Sequence, residues 1–168
     1  MAYTLEQLSD DIRSRLSADP GVAGQQALLE CLTKALLDDE FVAKHLTPDE
    51  CRPRKVLYED PEFGFCVCGH VYENGMGKAW PHDHGPTWAI YGLAEGETEM
   101  TDWEIIEQGT ETSPALVRPT GQQTMKRGDC YLYEVGQVHS PIMGKGTKLI
   151  RIEGANLDHI QRSNIRAA

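Results

Sequence analysis

The stretch Gly75-Met76-Gly77-Lys78-Ala79-Trp80-Pro81-His82-Asp83-His84-Gly85-Pro86-Thr87-Trp88-Ala89-Ile90-Tyr91-Gly92-Leu93-Ala94-Glu95-Gly96-Glu97 decides how this chain is read. In an extended strand successive side chains alternate between faces. His82 and His84 then point the same way, and both imidazoles can reach one metal ion. Asp83 points the other way and is a poor candidate for the same ion. Pro81 and Gly85 bracket the pair and limit the strand. A single histidine is usually structural or merely exposed; two at this spacing point toward a metal. A second segment, Met125 to Pro141 (MKRGDCYLYEVGQVHSP), adds to this. It holds the tight turn Gly128-Asp129, then Gly136, then His139, a third imidazole at the end of another strand.

The chain outside these segments has two textures. Residues 3–46 carry helical stripes, with Leu5, Leu8, Ile12 and Leu16 behind Thr4 as N-cap, then Ala27, Leu28, Cys31, Leu32, Leu36 and Leu37, with a break near Asp38. From Arg54 onward, short runs with β-branched and aromatic residues alternate with turn residues. Strands are predicted at 54–58, 63–72, 79–84, 87–93, 97–106, 115–118, 122–125, 130–134 and 147–153, with a short capped helix over 154–164. The expected organisation is one domain over 1–168: a helical segment over 1–50 packed on a barrel over 54–155. Many short strands in a small domain suit a sandwich or closed barrel.

Composition narrows the function. The 168 residues carry 26 acidic and 16 basic side chains, a formal net charge of -10. Such a chain repels phosphate backbones and anionic lipid, so nucleic acid and membrane are not expected partners. No apolar run reaches transmembrane length and the N-terminus has no secretory pattern, so a cytoplasmic protein is expected. The five cysteines lack framework spacing and are taken as free thiols. Nucleotide-binding loops and a nucleophile elbow are missing from the sequence.

The paired segments resemble the two motifs of the cupin superfamily. In the first, Gly77 precedes His82-x-His84 by four residues and Gly96 closes the pattern. In the second, Gly128 is followed by Glu134 in the place of the usual proline, then by Gly136 and His139. The resemblance covers about residues 54–155. It implies a mainly β cupin double-stranded β-helix (jelly-roll barrel) with N-terminal α-helices, and metal ligation by His82, His84 and His139. The position that usually supplies a glutamate ligand falls on Trp88 or Ala89, and Glu95 lies in a predicted hairpin. Three neutral histidines then leave the charge of a divalent ion uncompensated, which favours an anionic chelating substrate. Three open positions on an octahedral ion would admit such a substrate and O₂; tetrahedral zinc would keep one.

Within the superfamily, the HDH pair looks most like the thiol dioxygenase branch typified by cysteine dioxygenase and its uncharacterised metal-dependent relatives. That resemblance implies an Fe²⁺ cofactor, with Ni²⁺ and Zn²⁺ able to occupy the same imidazoles. Two departures stand out. The position of the branch's cross-linking residue is Ala89. The late strand 148–153 lacks the branch's Ser-x-His-x-Tyr pattern. The resemblance places a substrate-carboxylate arginine at about Arg54; a solvated basic edge is the alternative reading. Arg151, on a late strand, is read either as a pocket residue or as a surface ion pair. Tyr91 shares strand parity with Ala89 and is read as a phenol facing the site or as core. Trp80 is expected to wall the pocket, and Trp88 and Trp103 to pack. Cys66, Cys68 and His70 share one strand face and could bind a soft ion or fill the interior. His45 and His159 are read as surface residues.

Three functions stay open on these grounds. One is a mononuclear non-haem iron dioxygenase acting on a small anionic thiol, enol or carboxylate. The second is a non-redox isomerase or lyase using the ion as Lewis acid. The third is a non-catalytic small-molecule binding protein. The expected partners are a small-molecule substrate and, for the first reading, O₂; a homodimer is left open.

Overall fold

In the computed structural model, which describes residues 3–168, the N-terminal texture folds as four helices. α1 (Leu5–Ala18) starts at Thr4, whose hydroxyl accepts from the Gln7 amide at 3.1 Å while the Gln7 side chain accepts from the Thr4 amide at 2.9 Å. This reciprocal cap satisfies donors that a helix start otherwise leaves orphaned. α2 (Val22–Leu37) ends at Asp38, which also caps α3 (Asp39–His45) by accepting from the amides of Glu40 and Phe41. The break expected near Asp38 is therefore a helix end and a new start at one residue. α4 (Pro48–Cys51) is a single turn.

Nine strands follow: β1 (Lys55–Glu59), β2 (Cys66–Tyr72), β3 (Ala89–Glu95), β4 (Thr98–Glu107), β5 (Ala115–Met125), β6 (Cys130–Tyr133), β7 (Val138–Met143), β8 (Thr147–Glu153) and β9 (Ile165–Ala167). They form two sheets, ordered β1-β2-β8-β3-β6 and β7-β4-β5-β9. The chain crosses between sheets after β3, β5, β6, β7 and β8, the winding of a double-stranded β-helix. No helix among the described residues is long and apolar enough to cross a membrane.

The strand expected over 79–84 is not one. The segment runs beside β7 but joins it only through the isolated bridges Met76–Met143 and His82–His139 and a bond from the Ala79 amide to the Pro141 carbonyl. Pro141 has the parity of His139 and Met143, so its missing N–H faces this segment and interrupts the ladder. The same proline disguised β7, which was absent from the predicted strands. The predicted strands 115–118 and 122–125 are one strand, β5. β9 pairs with β5 only at residues 115–117, so Pro119 sits on a free edge, where a strand tolerates proline. The predicted helix over 154–164 is reduced to a 3₁₀ turn, Leu157–His159, capped by Asn156.

The period-2 alternation of the first sheet divides the protein into two interiors. Val67, Val71, Ile90, Ala94, Ile150 and Ile152 point outward and pack under Leu8, Ile12, Leu28, Leu32 and Leu36 of the helices. Each such fully buried Val, Ile or Leu stabilises by roughly 1.5–3 kcal/mol relative to exposure. The helices press close: a Cβ on Gly92 would lie 2.7 Å from methyls of Leu32 and Leu36. The opposite parity points into the barrel and supplies Ala89, Tyr91, Leu93 and Leu149, which meet Met100, Met125 and Met143 of the second sheet.

Candidate metal centre and cavity

The two histidine segments are locked by a pair of backbone hydrogen bonds. The His82 amide donates to the His139 carbonyl and the His139 amide to the His82 carbonyl, each at 3.0 Å. This sets the rings of His82 and His139 with centroids 4.6 Å apart, and His84 joins at 4.7 Å from His139. One ring nitrogen from each histidine lies within 4.8 Å of the other two. Imidazole nitrogens bound about 2.0–2.2 Å from one ion would be spaced on that scale. The three expected ligands therefore converge although 79–84 is not a regular strand, because the His82–His139 bridge does the aligning.

The donor chemistry fits a divalent cation. His82 Nδ1 lies 2.9 Å from the Trp80 carbonyl and His139 Nδ1 lies 3.3 Å from the Gln137 carbonyl. A carbonyl accepts only, so each Nδ1 carries the proton and each Nε2 keeps a lone pair. His84 Nδ1 is buried with no partner. Burial pushes the His82 pKa down to about 4, and holds His84 and His139 well below the ordinary histidine range, with the neighbouring imidazoles and Arg151 adding to it. All three are neutral, as metal ligation requires. Tyr133 stacks on His139 at 3.8 Å and fixes its ring plane. Glu95 is not a fourth ligand; it pairs with Lys148 at 2.9 Å on the surface.

Tyr91 joins the histidines to a buried charge. Its hydroxyl lies 3.3 Å from His84 Nε2, 3.2 Å from His139 Nε2 and 3.3 Å from the Arg151 guanidinium, which donates to it. Register explains the meeting, since Tyr91 on β3 is directly opposite Arg151 on β8. Arg151 is itself held by Glu153, two residues on and on the same face, at 2.7 Å and 2.5 Å. Glu153 is fully buried and also accepts from Arg54 at 2.9 Å and from the Leu157 amide. Burial alone would raise the Glu153 pKa, but Arg151 and Arg54 outweigh it and hold the carboxylate below its usual range.

A cavity of about 380 Å³ opens beside His82, the one of the three histidines on its wall. Its wall includes His82, Tyr91 and Arg151 on the polar side and Met76, Met143 and Trp80 on the apolar side. Of the expected pocket residues, Tyr91, Arg151 and Trp80 line it, Trp80 at the mouth with 82% of its surface exposed. Arg54 does not. Its guanidinium is committed to Glu153, Asp158 and Asn156, so it braces Arg151 from behind instead of reaching a ligand. Ala89 is buried in the barrel cluster beside Tyr91 and Tyr133 and is not on the cavity wall.

Cys66, Cys68 and His70 are buried together on the inner face of β2. Burial pushes the Cys66 thiol up to about 12 and keeps His70 neutral. Among the described residues, the only cluster of three or more such donors within reach of one ion is His82, His84 and His139, so these three fill the interior. Sequence reasoning missed Tyr72, Glu153 and Arg162. Strand parity carried a signal for the first two: Tyr72 follows His70 by two, and Glu153 follows Arg151 by two. Arg162 carried none, because its place depends on the course of the tail.

No protein-family profile matches the chain, and no curated protein matches it in sequence. Solved structures resemble it at low identity. A double-stranded β-helix domain protein from Klebsiella pneumoniae is 17% identical with a TM-score of 0.49, over 74% of this chain and 88% of that one. KdgF from Halomonas sp. is 16% identical with a TM-score of 0.43, over 60% and 76%. The DMSP lyase DddQ from Ruegeria pomeroyi is 14% identical with a TM-score of 0.45, over 65% and 49%. The fold is defined by this chain's own strand order, and its site by the three converging imidazoles.

Proposed function

We propose that this chain is a metal-dependent enzyme of the cupin type acting on a small anionic substrate, and that it is a mononuclear non-haem iron dioxygenase of a thiol, enol or carboxylate. The observation that carries the reading is the all-histidine, charge-neutral donor set, one member of which, His82, shares a cavity wall with the buried Arg151. Bound iron would supply the redox chemistry. The chain's own groups do the rest. Neutral imidazoles leave the ion's charge available to an anion. Arg151, braced by Glu153 and Arg54, presents a fixed guanidinium to the same anion. Tyr91 holds a hydroxyl between the ligands and Arg151, where it can orient a bound group or pass a proton.

That hydroxyl favours one second reading, a non-redox isomerase or lyase in which Tyr91 serves as the acid or base. Anaerobic loading with Fe²⁺, followed by oxygen uptake with a panel of thiols and β-dicarbonyls, separates the two. Uptake that needs both metal and substrate supports the dioxygenase. Substrate conversion without uptake refutes it in favour of the second reading. Binding with neither leaves a small-molecule binding protein.

A further inference from the structure

The tail after the 3₁₀ turn doubles back over the metal segment. It passes Gly85 so closely that a Cβ there would lie 2.6 Å from the Gln161 carbonyl oxygen. Asp83, the residue between the two histidines, is 4% exposed and points away from them toward this tail. Its carboxylate accepts from the Ser163 amide at 3.0 Å, from the Ser163 hydroxyl at 2.5 Å and from the Gly85 amide at 3.0 Å. The tail is tied again where the Ala115 amide donates to the Asn164 carbonyl and where β9 pairs with β5. The residue between these ties and the Gln161 contact is Arg162. Arg162 lines the same cavity as His82 and Arg151.

Arg162 differs from the other arginine of the cavity. Arg151 has its charge balanced by Glu153. Arg162 forms no ion pair and no side-chain hydrogen bond among the described residues. A strap pinned on both sides thus holds an uncompensated guanidinium at a cavity mouth, in a chain whose net charge is -10. A guanidinium fork suits a carboxylate held by two parallel hydrogen bonds. We infer that Arg162 is a specificity residue that binds a second anionic group of the substrate, so that the site prefers a small dianion, such as a compound with two carboxylates, over its mono-anionic counterpart. This rests on the anion-binding metal centre proposed above and adds the charge count of its substrate. It also gives Asp83 a role, as the positioning residue that couples the tail to the ligands.

The test is calorimetric titration of metal-loaded protein with mercaptoacetate and with mercaptosuccinate, which offer the same thiolate–carboxylate chelate but differ by one carboxymethyl arm. The wild type should bind mercaptosuccinate about two- to fivefold tighter, the range for an ion pair at an exposed site. Arg162→Ala should erase the difference while leaving mercaptoacetate affinity and metal content unchanged, and Arg162→Lys should keep part of it. Ser163→Ala, which removes one tie to Asp83, should reduce the preference without moving metal content. Equal wild-type affinity for the two ligands would overturn the inference alone, as would a preference that survives Arg162→Ala. Failure of the loaded wild type to bind either ligand would overturn the metal-centred reading and this inference with it.

Discussion

Glu153→Gln tests the buried charge chain directly. Glu153 is 0% exposed and is the shared acceptor for Arg54 and for Arg151, whose side chain is 9% exposed. The amide keeps the shape of the carboxylate but removes its charge and turns an N–H₂ toward a guanidinium that can only donate. Breaking a buried pair by removing one partner costs about 3–5 kcal/mol. A domain of this size has about 5–15 kcal/mol in total. With a urea dependence of about 2 kcal/mol per molar, the unfolding midpoint should fall by about 1.5–2.5 M. Lys148→Gln, on the same strand as Glu153, breaks the outer pair with Glu95 of β3; it is the control and should cost under about 1 kcal/mol. The pH dependence has a definite sign. The folded carboxylate titrates below the unfolded one, so its contribution is present above about pH 4.3 and is lost as pH falls through the folded value. The wild type should shed this stability on acidification and Glu153→Gln should not. A midpoint shift no larger than that of Lys148→Gln would refute the view that Arg151 depends on Glu153.

His82→Ala should abolish stoichiometric metal binding as measured by elemental analysis after dialysis, and a full metal complement in that variant would place the site elsewhere. Tyr91→Phe should retain metal but weaken the binding of a chelating anion, read by calorimetry, by about ten- to hundredfold, the worth of a hydrogen bond involving a charged group. His70 is buried and neutral, so the unfolded chain takes up a proton below about pH 6.5 that the folded chain refuses, and stability should decline there by up to about 1.4 kcal/mol per pH unit. The three neutral histidines of the candidate metal site add to the same slope, so His70→Gln should reduce it by His70's share in urea melts collected from pH 6.5 to 5, and an unchanged slope would show that His70 titrates normally.

The candidate ligands were legible as two short motifs, the His82-x-His84 pair and the glycine-flanked His139. Their alignment was not, since 79–84 is irregular and a backbone bridge between His82 and His139 sets it. The helices were legible from the spacing of Leu8, Ile12 and Leu16, and the Asp38 break from a residue type that caps. β7 was not legible, because Pro141 reads as a strand breaker until its missing N–H is seen to face an irregular neighbour. Arg54 was misplaced because a position in sequence does not reveal a competing carboxylate. Glu153, 99 residues away, captures it across the sheet. Arg162 was invisible because a polar tail has no periodicity, and its course is fixed by long-range ties, Ser163 to Asp83, Asn164 to Ala115 and β9 to β5.

The alternation of β2, β3 and β8 places the larger apolar cluster outside the barrel, beneath the helices, and the reactive groups inside it. A substitution at Ile90 or Ile152 is a question of folding, whereas one at Tyr91 or at Tyr72 on the cavity wall is first a question of chemistry. Neighbouring residues on one strand thus answer to different selective pressures. Such a protein can drift toward a new substrate one inward-facing residue at a time, with the helical layer keeping it folded while the lumen changes. Descendants of this scaffold should therefore diverge at even and odd strand positions at different rates.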